Sequence, residues 1–379
     1  MNINSTFLFL LSIREFYDTS PGVLKIILFF GWIFSILSVG FIAFLLLRRI
    51  YVGWKTKKAA QLRDEIEKLV NAIMQGKIKS FAFEGETNRL IKSYTNHKFL
   101  KNEHRNILIN ELISIYKTMS GRAAQNLREV YLNHDLPQYS LNKMNSWRWY
   151  IKAKGIQELA DMDYVEGNDE IKKYSNHPQA LLRTEAQTAL VKLANFDALR
   201  FLDDTTYPIS EWQQLKFLHI LSNKEISTLP DFSKWLKSSN DTVVIFSLKL
   251  IRHFLSIKDS ANVEIALTHR SLKVRIQAVE TIGSLHNENA LSLIKTQFYR
   301  DAKEFKIQVL TCFMGIFKPK DFSFLEVQLL SFDYDISLAA AKAIVFVGDK
   351  GREFIGEIFT TYADTTARDI IKHAIAETN

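Results

Sequence analysis

From position 151 onward one pattern returns at a step of about 31 residues, a period in the range of stacked helical repeats. Moving from Ile282 by 31 reaches Ile251 in one direction and Phe313, Ile344 and Ile375 in the other. One step of 31 and one of 30 lead back to Ile220 and Leu190, and a further 31 to Leu159. All eight positions are large and apolar. Eight places before each stands a second column: Ile151, Leu182, Trp212, Val243, Val274, Phe305, Ile336 and Ala367, apolar throughout. Four before the first column, five of the eight copies carry a small residue: Gly155, Ala186, Ser247, Ala278 and Ala340. In a chain that is 47% hydrophobic, sixteen apolar hits in two columns arise by chance about once in 10⁵.

Offsets of four and eight put the three columns on one helical face. Each unit has room for two helices of about a dozen residues joined by short turns. The second helices are expected in "NFDALRFLDD", "LPDFSKWLKS", "ANVEIALTHR", "NALSLIKTQF", "FSFLEVQLLS" and "REFIGEIFTT", with turns at "SNHPQ", "KSSND" and "SFDYD". One such pair cannot bury its apolar face alone, whereas stacked copies share a continuous core. Only 14 Gly and 6 Pro occur, which points to helices rather than a turn-rich β fold. The fold class expected is therefore all-α: an α-solenoid of about eight units over residues 147–379.

The order apolar, basic, small in "LLRTEAQTAL" (Leu181 to Leu190) and "KVRIQAVETI" (Lys273 to Ile282) resembles HEAT repeats. The short period is similar to the bacterial HEAT-like repeats of phycobilin lyases. The resemblance covers Trp147 to the C-terminus and concerns fold far more than function. In HEAT-like arrays the basic position joins polar ladders between adjacent repeats. The resemblance thus implies a ladder role for Lys152, Arg183, Arg275, Lys306 and Arg368, with Gln213, Val244 and Ser337 interrupting the series.

Upstream, "IILFFGWIFSILSVGFIAFLLL" runs from Ile26 to Leu47 without a single charge. At 1.5 Å per residue it crosses a bilayer core of about 30 Å. Tyr51 and Trp54 follow, where aromatic rings prefer the interface. The run is too long for a signal-peptide core and no small-residue cleavage pattern follows it. The next segment, "RRIYVGWKTKK" (residues 48–58), carries Arg48, Arg49, Lys55, Lys57 and Lys58 and no acid, +5 of the chain's net +8. Residues 1–47 sum to zero, and everything from Ala59 onward holds only +3. This asymmetry predicts a cytoplasmic C-terminal bulk and an external tail over residues 1–25. The repeats and a Lys/Asn/Ile-rich composition suggest a bacterial inner membrane.

Between span and array lie residues 59–146. Leu62, Ile66, Leu69, Val70 and Ile73 have helical spacing, either continuing the span or forming a separate short helix. "GKIKSFAFEGETN" (Gly76 to Asn88) reads as a linker. "RNILINELISIYKTM" and "GRAAQNLREVYLN" read as helices joined near Ser120, and Asn133 to Ser146 as a turn. The whole stretch is expected to cap the array, because terminal repeats are atypical.

Chemistry-bearing patterns are sparse. No two of the nine histidines stand at i, i+4, and no HExxH occurs. Cys312 is the only cysteine, so neither an internal disulfide nor a Cys-based zinc site can form, and its apolar neighbours suggest an inert thiol. No glycine-rich phosphate loop is present. Asp203 with Asp204, and Asp161 with Asp163, read as solvated carboxylates. No catalytic residue, cofactor or metal is expected. The near-neutral array speaks against nucleic acid, and no small-molecule substrate suggests itself. The expected function is a membrane-anchored scaffold binding protein partners at the inner face, by analogy accessory to an envelope enzyme such as a glycosyltransferase. The rival readings are a HEAT-like enzyme of the bilin lyase or DNA glycosylase kind, and a self-associating structural membrane protein.

Overall fold

The computed structural model describes residues 21–74, 101–224, 229–361 and 365–378; among them every regular element is helical. The chain forms two compact units, Met1–His134 and Asp135–Asn379.

In the first unit α1 (Gly22–Met74) is a single helix of 53 residues, about 80 Å long at 1.5 Å per residue. It contains no proline after Pro21 to break it. Leu62 to Ile73 therefore continue the apolar helix and do not form a separate one. The stretch Lys25–Trp54 is long and apolar enough to cross a membrane; its most apolar window has mean hydropathy 2.4 and is left unburied by the described residues. Helices α2 (Lys101–Tyr116) and α3 (Gly121–Asn133) follow. They break at Gly121, whose φ of 63° lies in the left-handed region that glycine enters without steric penalty. Ile109, Leu112, Leu127 and Tyr131 are fully buried here. The tail over residues 1–20 and the linker at Gly76 to Asn88 lie outside the described residues.

The second unit opens with α4 (Leu136–Met144), where a turn was expected. Pro137 stands in its first turn, where a missing N–H costs nothing and the fixed φ suits a helix. Because α4 packs on α5, the unit holding the array begins at Asp135.

Eight first helices follow: α5 (Trp149–Asp161), α7 (Ala180–Leu193), α8 (Glu211–Ser222), α9 (Asp241–His253), α11 (Leu272–Ser284), α13 (Lys303–Cys312), α15 (Tyr334–Phe346) and α17 (Thr365–Thr378). Their starting positions are evenly spaced at the period of the sequence, except that the step between α8 and α9 is shorter by one. Between them lie shorter pieces: α6 (Asn168–Lys172), α10 (Ser260–Val263), α12 (Leu291–Phe298), α14 (Phe322–Leu329) and α16 (Asp349–Thr361). Several are led or replaced by 3₁₀ turns, as at Asn195–Asp204 and Ser233–Lys237. Only α16, with 13 residues, reaches the expected dozen. In the other units the second segment is a shorter helix, a 3₁₀ turn or both. One apolar cluster runs from Met144 to Ala374 through all eight units, the shared core that stacked repeats require.

The register of the third unit differs from the expectation. In α8 the buried positions are Gln213, Gln214, Phe217 and Leu221, whereas Trp212 is 77% exposed and Ile220 half-buried. The shortened step therefore falls after α8, not before it. A search for apolar residues passes over Gln213 because it is polar. Burial is tolerated because its amide donates to Gln187 Oε1 at 2.5 Å, and Gln187 donates to the Ser175 carbonyl at 2.7 Å, leaving both side chains satisfied. At the far end Ile375 is also 37% exposed.

Candidate interaction surface

The turns that enter the first helices share one device. Three residues before α5, α9 and α15, the hydroxyls of Ser146, Ser238 and Ser331 accept from the N–H groups of Arg148, Asn240 and Asp333 at 3.2 Å. Before α7 and α11 the same place is held by histidine: Nδ1 of His177 accepts from Gln179 N–H at 3.0 Å, and Nδ1 of His269 from Ser271 N–H at 3.1 Å. Two of the nine histidines thus act as turn acceptors. The signal lies in the sequence at a fixed position, but it mixes Ser with His and escapes a search by residue type.

The basic column does not behave uniformly. Arg183 donates through Nη1 to the carbonyls of His177 and Pro178 at 2.7 and 3.2 Å. Its guanidinium lies 4.2 Å from the Tyr207 ring centre, in the turn before α8. Arg275 repeats this with His269 and Arg270, at 2.8 and 3.1 Å. It then reaches forward to Asp301 with two hydrogen bonds of 2.7 Å. Lys152 lies over Tyr174 and Lys306 over Phe298, 4.9 and 5.8 Å from the ring centres. Arg368 donates to the Phe359 carbonyl at 3.1 Å. In the corrected register the third copy is Gln214, which donates to the Ile209 carbonyl and accepts from Lys249.

Polar contacts about one repeat apart in sequence also occur off this column. Lys192 donates to Asp161 at 2.7 Å, Trp235 Nε1 to Asp203 at 2.6 Å, and Lys318 pairs with Glu288 at 2.6 Å. Asp161 and Asp203, expected to be simply solvated, are therefore partnered. Asp161 is buried.

Burial dominates the electrostatics. It works to raise the Asp301 carboxyl, but hydrogen bonds from Arg275, Ala302 N–H and Gln297 outweigh it and leave the pKa below the ordinary value. Desolvation pulls the Lys143 ammonium down against the opposing pull of Glu158, which it meets at 2.6 Å in the α4–α5 contact. Asp259 is raised by burial and by neighbouring Asp231, against a hydrogen bond from Ser256. Cys312 is also raised by burial, which disfavours the reactive thiolate.

Two open hollows indent the second unit. One of about 540 Å³ is lined by Asp203, Asp204, Lys234 and Trp235 among others, and one of about 310 Å³ by Asn168, Lys172, Asp197 and Arg200 among others. Among the described residues no group of three His, Cys, Asp or Glu side chains is placed to hold a metal.

The most prominent surface feature is apolar. The second residue of seven first helices is exposed: Tyr150, Leu181 and Trp212 in the first three units, and Lys273, Glu304, Asp335 and Thr366 in α11, α13, α15 and α17. Trp147, 85% exposed, and Trp149 adjoin this row where the array begins. In the first unit Arg48, Arg49 and Lys57 stand exposed on α1 after its uncharged run Ile26–Leu47, while the Lys55 and Lys58 side chains lie outside the described residues.

No protein-family model and no curated protein matches the chain. Solved structures do. The CpcE–CpcF complex of phycocyanin lyase from a Nostoc species is 13% identical with a TM-score of 0.29, covering 60% of this chain and 94% of that one. An engineered protein is 14% identical with a TM-score of 0.35, covering 84% and 95%. Human deoxyhypusine hydroxylase is 12% identical with a TM-score of 0.27, covering 73% and 98%. At such identities and scores nothing about chemistry follows. The HEAT-like helical-repeat architecture rests on the eight stacked units of the chain itself.

Proposed function

We propose that this protein is a membrane-anchored scaffold whose repeat array holds protein partners at the cytoplasmic face of a bacterial inner membrane. The observation that carries this reading is the pairing, on one chain, of an uncovered apolar helix from Lys25 to Trp54 with an eight-unit array. An apolar helix that none of the described residues covers is suited to a lipid surround. The cations at Arg48, Arg49, Lys55, Lys57 and Lys58 support an orientation with the array inside. A repeat array offers an extended surface suited to holding another macromolecule. A surface-polysaccharide glycosyltransferase is a partner of the right location, by analogy alone.

The test is purification from membranes in mild detergent with quantitative identification of co-purifying proteins, beside a variant lacking residues 1–58. Stoichiometric recovery of the same envelope protein with the full chain, and its loss with the truncation, is the expected result. Recovery of the chain alone, cross-linked to itself, would replace the scaffold reading by a self-associating one.

A further inference from the structure

We propose that the entry of the array, centred on Trp147 to Tyr150, is a lipid-docking surface that seats the solenoid on an anionic bilayer. The inference rests on reading α1 as a membrane span and adds where the array goes once it is tethered.

The first observation is the switch along the row of second residues. That position is solvated and charged in α11, α13 and α15, so stacking places no demand for an apolar side chain there. Yet the three units nearest the span in sequence carry Tyr150, Leu181 and Trp212, at 52%, 59% and 77% exposure. Single exposed apolar residues are ordinary, but a row of large ones continued by Trp147 and Trp149 marks a contact surface.

The second observation is charge. From Asn145 to Gln157 the chain carries Arg148, Lys152 and Lys154 and no acid. The Arg148 guanidinium lies 4.9 Å from the Trp147 ring centre, and Trp149 meets Tyr150 edge-on at 6.0 Å, so cations and rings alternate within one patch. Lys154 stands one helical turn after Tyr150. It pairs at 3.9 Å with Glu158, which also holds Lys143 at 2.6 Å, so two ammonium groups share one carboxylate. At the place that Lys154 holds in α5, α7 carries Glu185 and α8 carries Lys216.

Rings with an apolar body and a polar edge, interleaved with Arg and Lys, are what the headgroup layer of a membrane selects. An apolar protein partner would satisfy the rings but leave Arg148 and the weakly paired Lys154 unanswered. An anionic headgroup layer answers both. Because the span is on the same chain, the patch meets that layer at high effective concentration, and modest intrinsic affinity is enough.

The test uses the full chain in nanodiscs of zwitterionic lipid, with or without an anionic phospholipid. An environment-sensitive dye is attached at Gln157→Cys or His219→Cys, exposed sites one helical face along from Tyr150 and Trp212, in a Cys312→Ala background. Phe332→Cys, fully exposed on a later unit, is the control. In anionic discs the dyes at 157 and 219 should shift to the blue and be quenched by spin-labelled lipid, while the control stays water-like. The triple variant R148Q/K152Q/K154Q should lower the docked-to-free ratio by about fivefold per cation at low salt. Added salt should release the unsubstituted chain as well, a readout independent of whether the triple variant folds. Water-like dyes at 157 and 219 in discs that retain the protein overturn the docking proposal and spare the span. Equal quenching at the control overturns it too. Failure of the chain to enter discs removes the span reading and this inference together.

Discussion

Arg275 grips Asp301 across 26 residues of sequence, its Nε and Nη2 donating to the two carboxylate oxygens at 2.7 Å each. The aspartate side chain is almost wholly buried and the arginine largely so. The bond joins the start of α11 to the turn before α13, so it measures how firmly one repeat holds the next.

Arg275→Ala should therefore cost about 2–4 kcal/mol, because it strands a buried carboxylate. Arg275→Lys keeps the charge but loses the planar fork and should fall between. The folded pKa of Asp301 lies below its unfolded value, so the stabilisation is present above the unfolded pKa and lost as pH falls through the folded one. Denaturant titration of wild type and variant should show a gap that is widest at neutral pH and closes in acid.

Asp259 behaves in the opposite sense. Its folded pKa is raised, chiefly by burial, so the folded state binds the proton more tightly. Its contribution is favourable below the unfolded pKa and is lost as pH rises through the folded one. Asp259→Asn, which keeps an oxygen for the Ser256 hydroxyl, should stabilise the protein at pH 7 and lose that advantage near pH 4. Equal effects at both pH values would contradict this account.

The register of α8 can be checked by truncation. Leu221→Ala should cost about 2–5 kcal/mol, as for other buried leucines. Trp212→Ala should stay within about 0.5 kcal/mol, as an exposed substitution does. The reverse ranking in thermal or denaturant unfolding would restore the apolar register.

Gly155→Ala separates packing from propensity. Alanine is the better helix former by about 1 kcal/mol, so a free surface would gain. A Cβ at 155 would stand 2.5 Å from the Ser140 carbonyl oxygen and 3.0 Å from Lys143 Cβ. Overpacking of this kind costs about 1–3 kcal/mol, and net destabilisation is the expected sign.

The flank offers a cellular readout. Replacing Arg48, Arg49, Lys55, Lys57 and Lys58 by Gln removes the charge asymmetry, and a topology reporter fused after Asn379 should change from cytoplasmic to mixed. An unchanged cytoplasmic signal would mean that other segments set the orientation.

Much of the architecture was legible in residue order. Columns such as Val274, Ala278 and Ile282 expose the repeat because stacking demands apolar and small side chains at set positions. The uncharged run from Ile26 to Leu47 stands out because its length and apolarity are both written in residue order. These are one-dimensional constraints, and a one-dimensional pattern records them. What only the tertiary structure decided depends on partners far apart in the chain. Gln213 is buried because Gln187 waits 26 residues earlier to accept its amide proton, and Trp212 turns outward as a consequence. His177 and His269 are turn acceptors because of the backbone N–H groups they meet, not because they are histidines. The row of Tyr150, Leu181 and Trp212 emerges only once the register is right, since a one-residue slip on a helix turns a side chain by about 100° and exchanges core for surface.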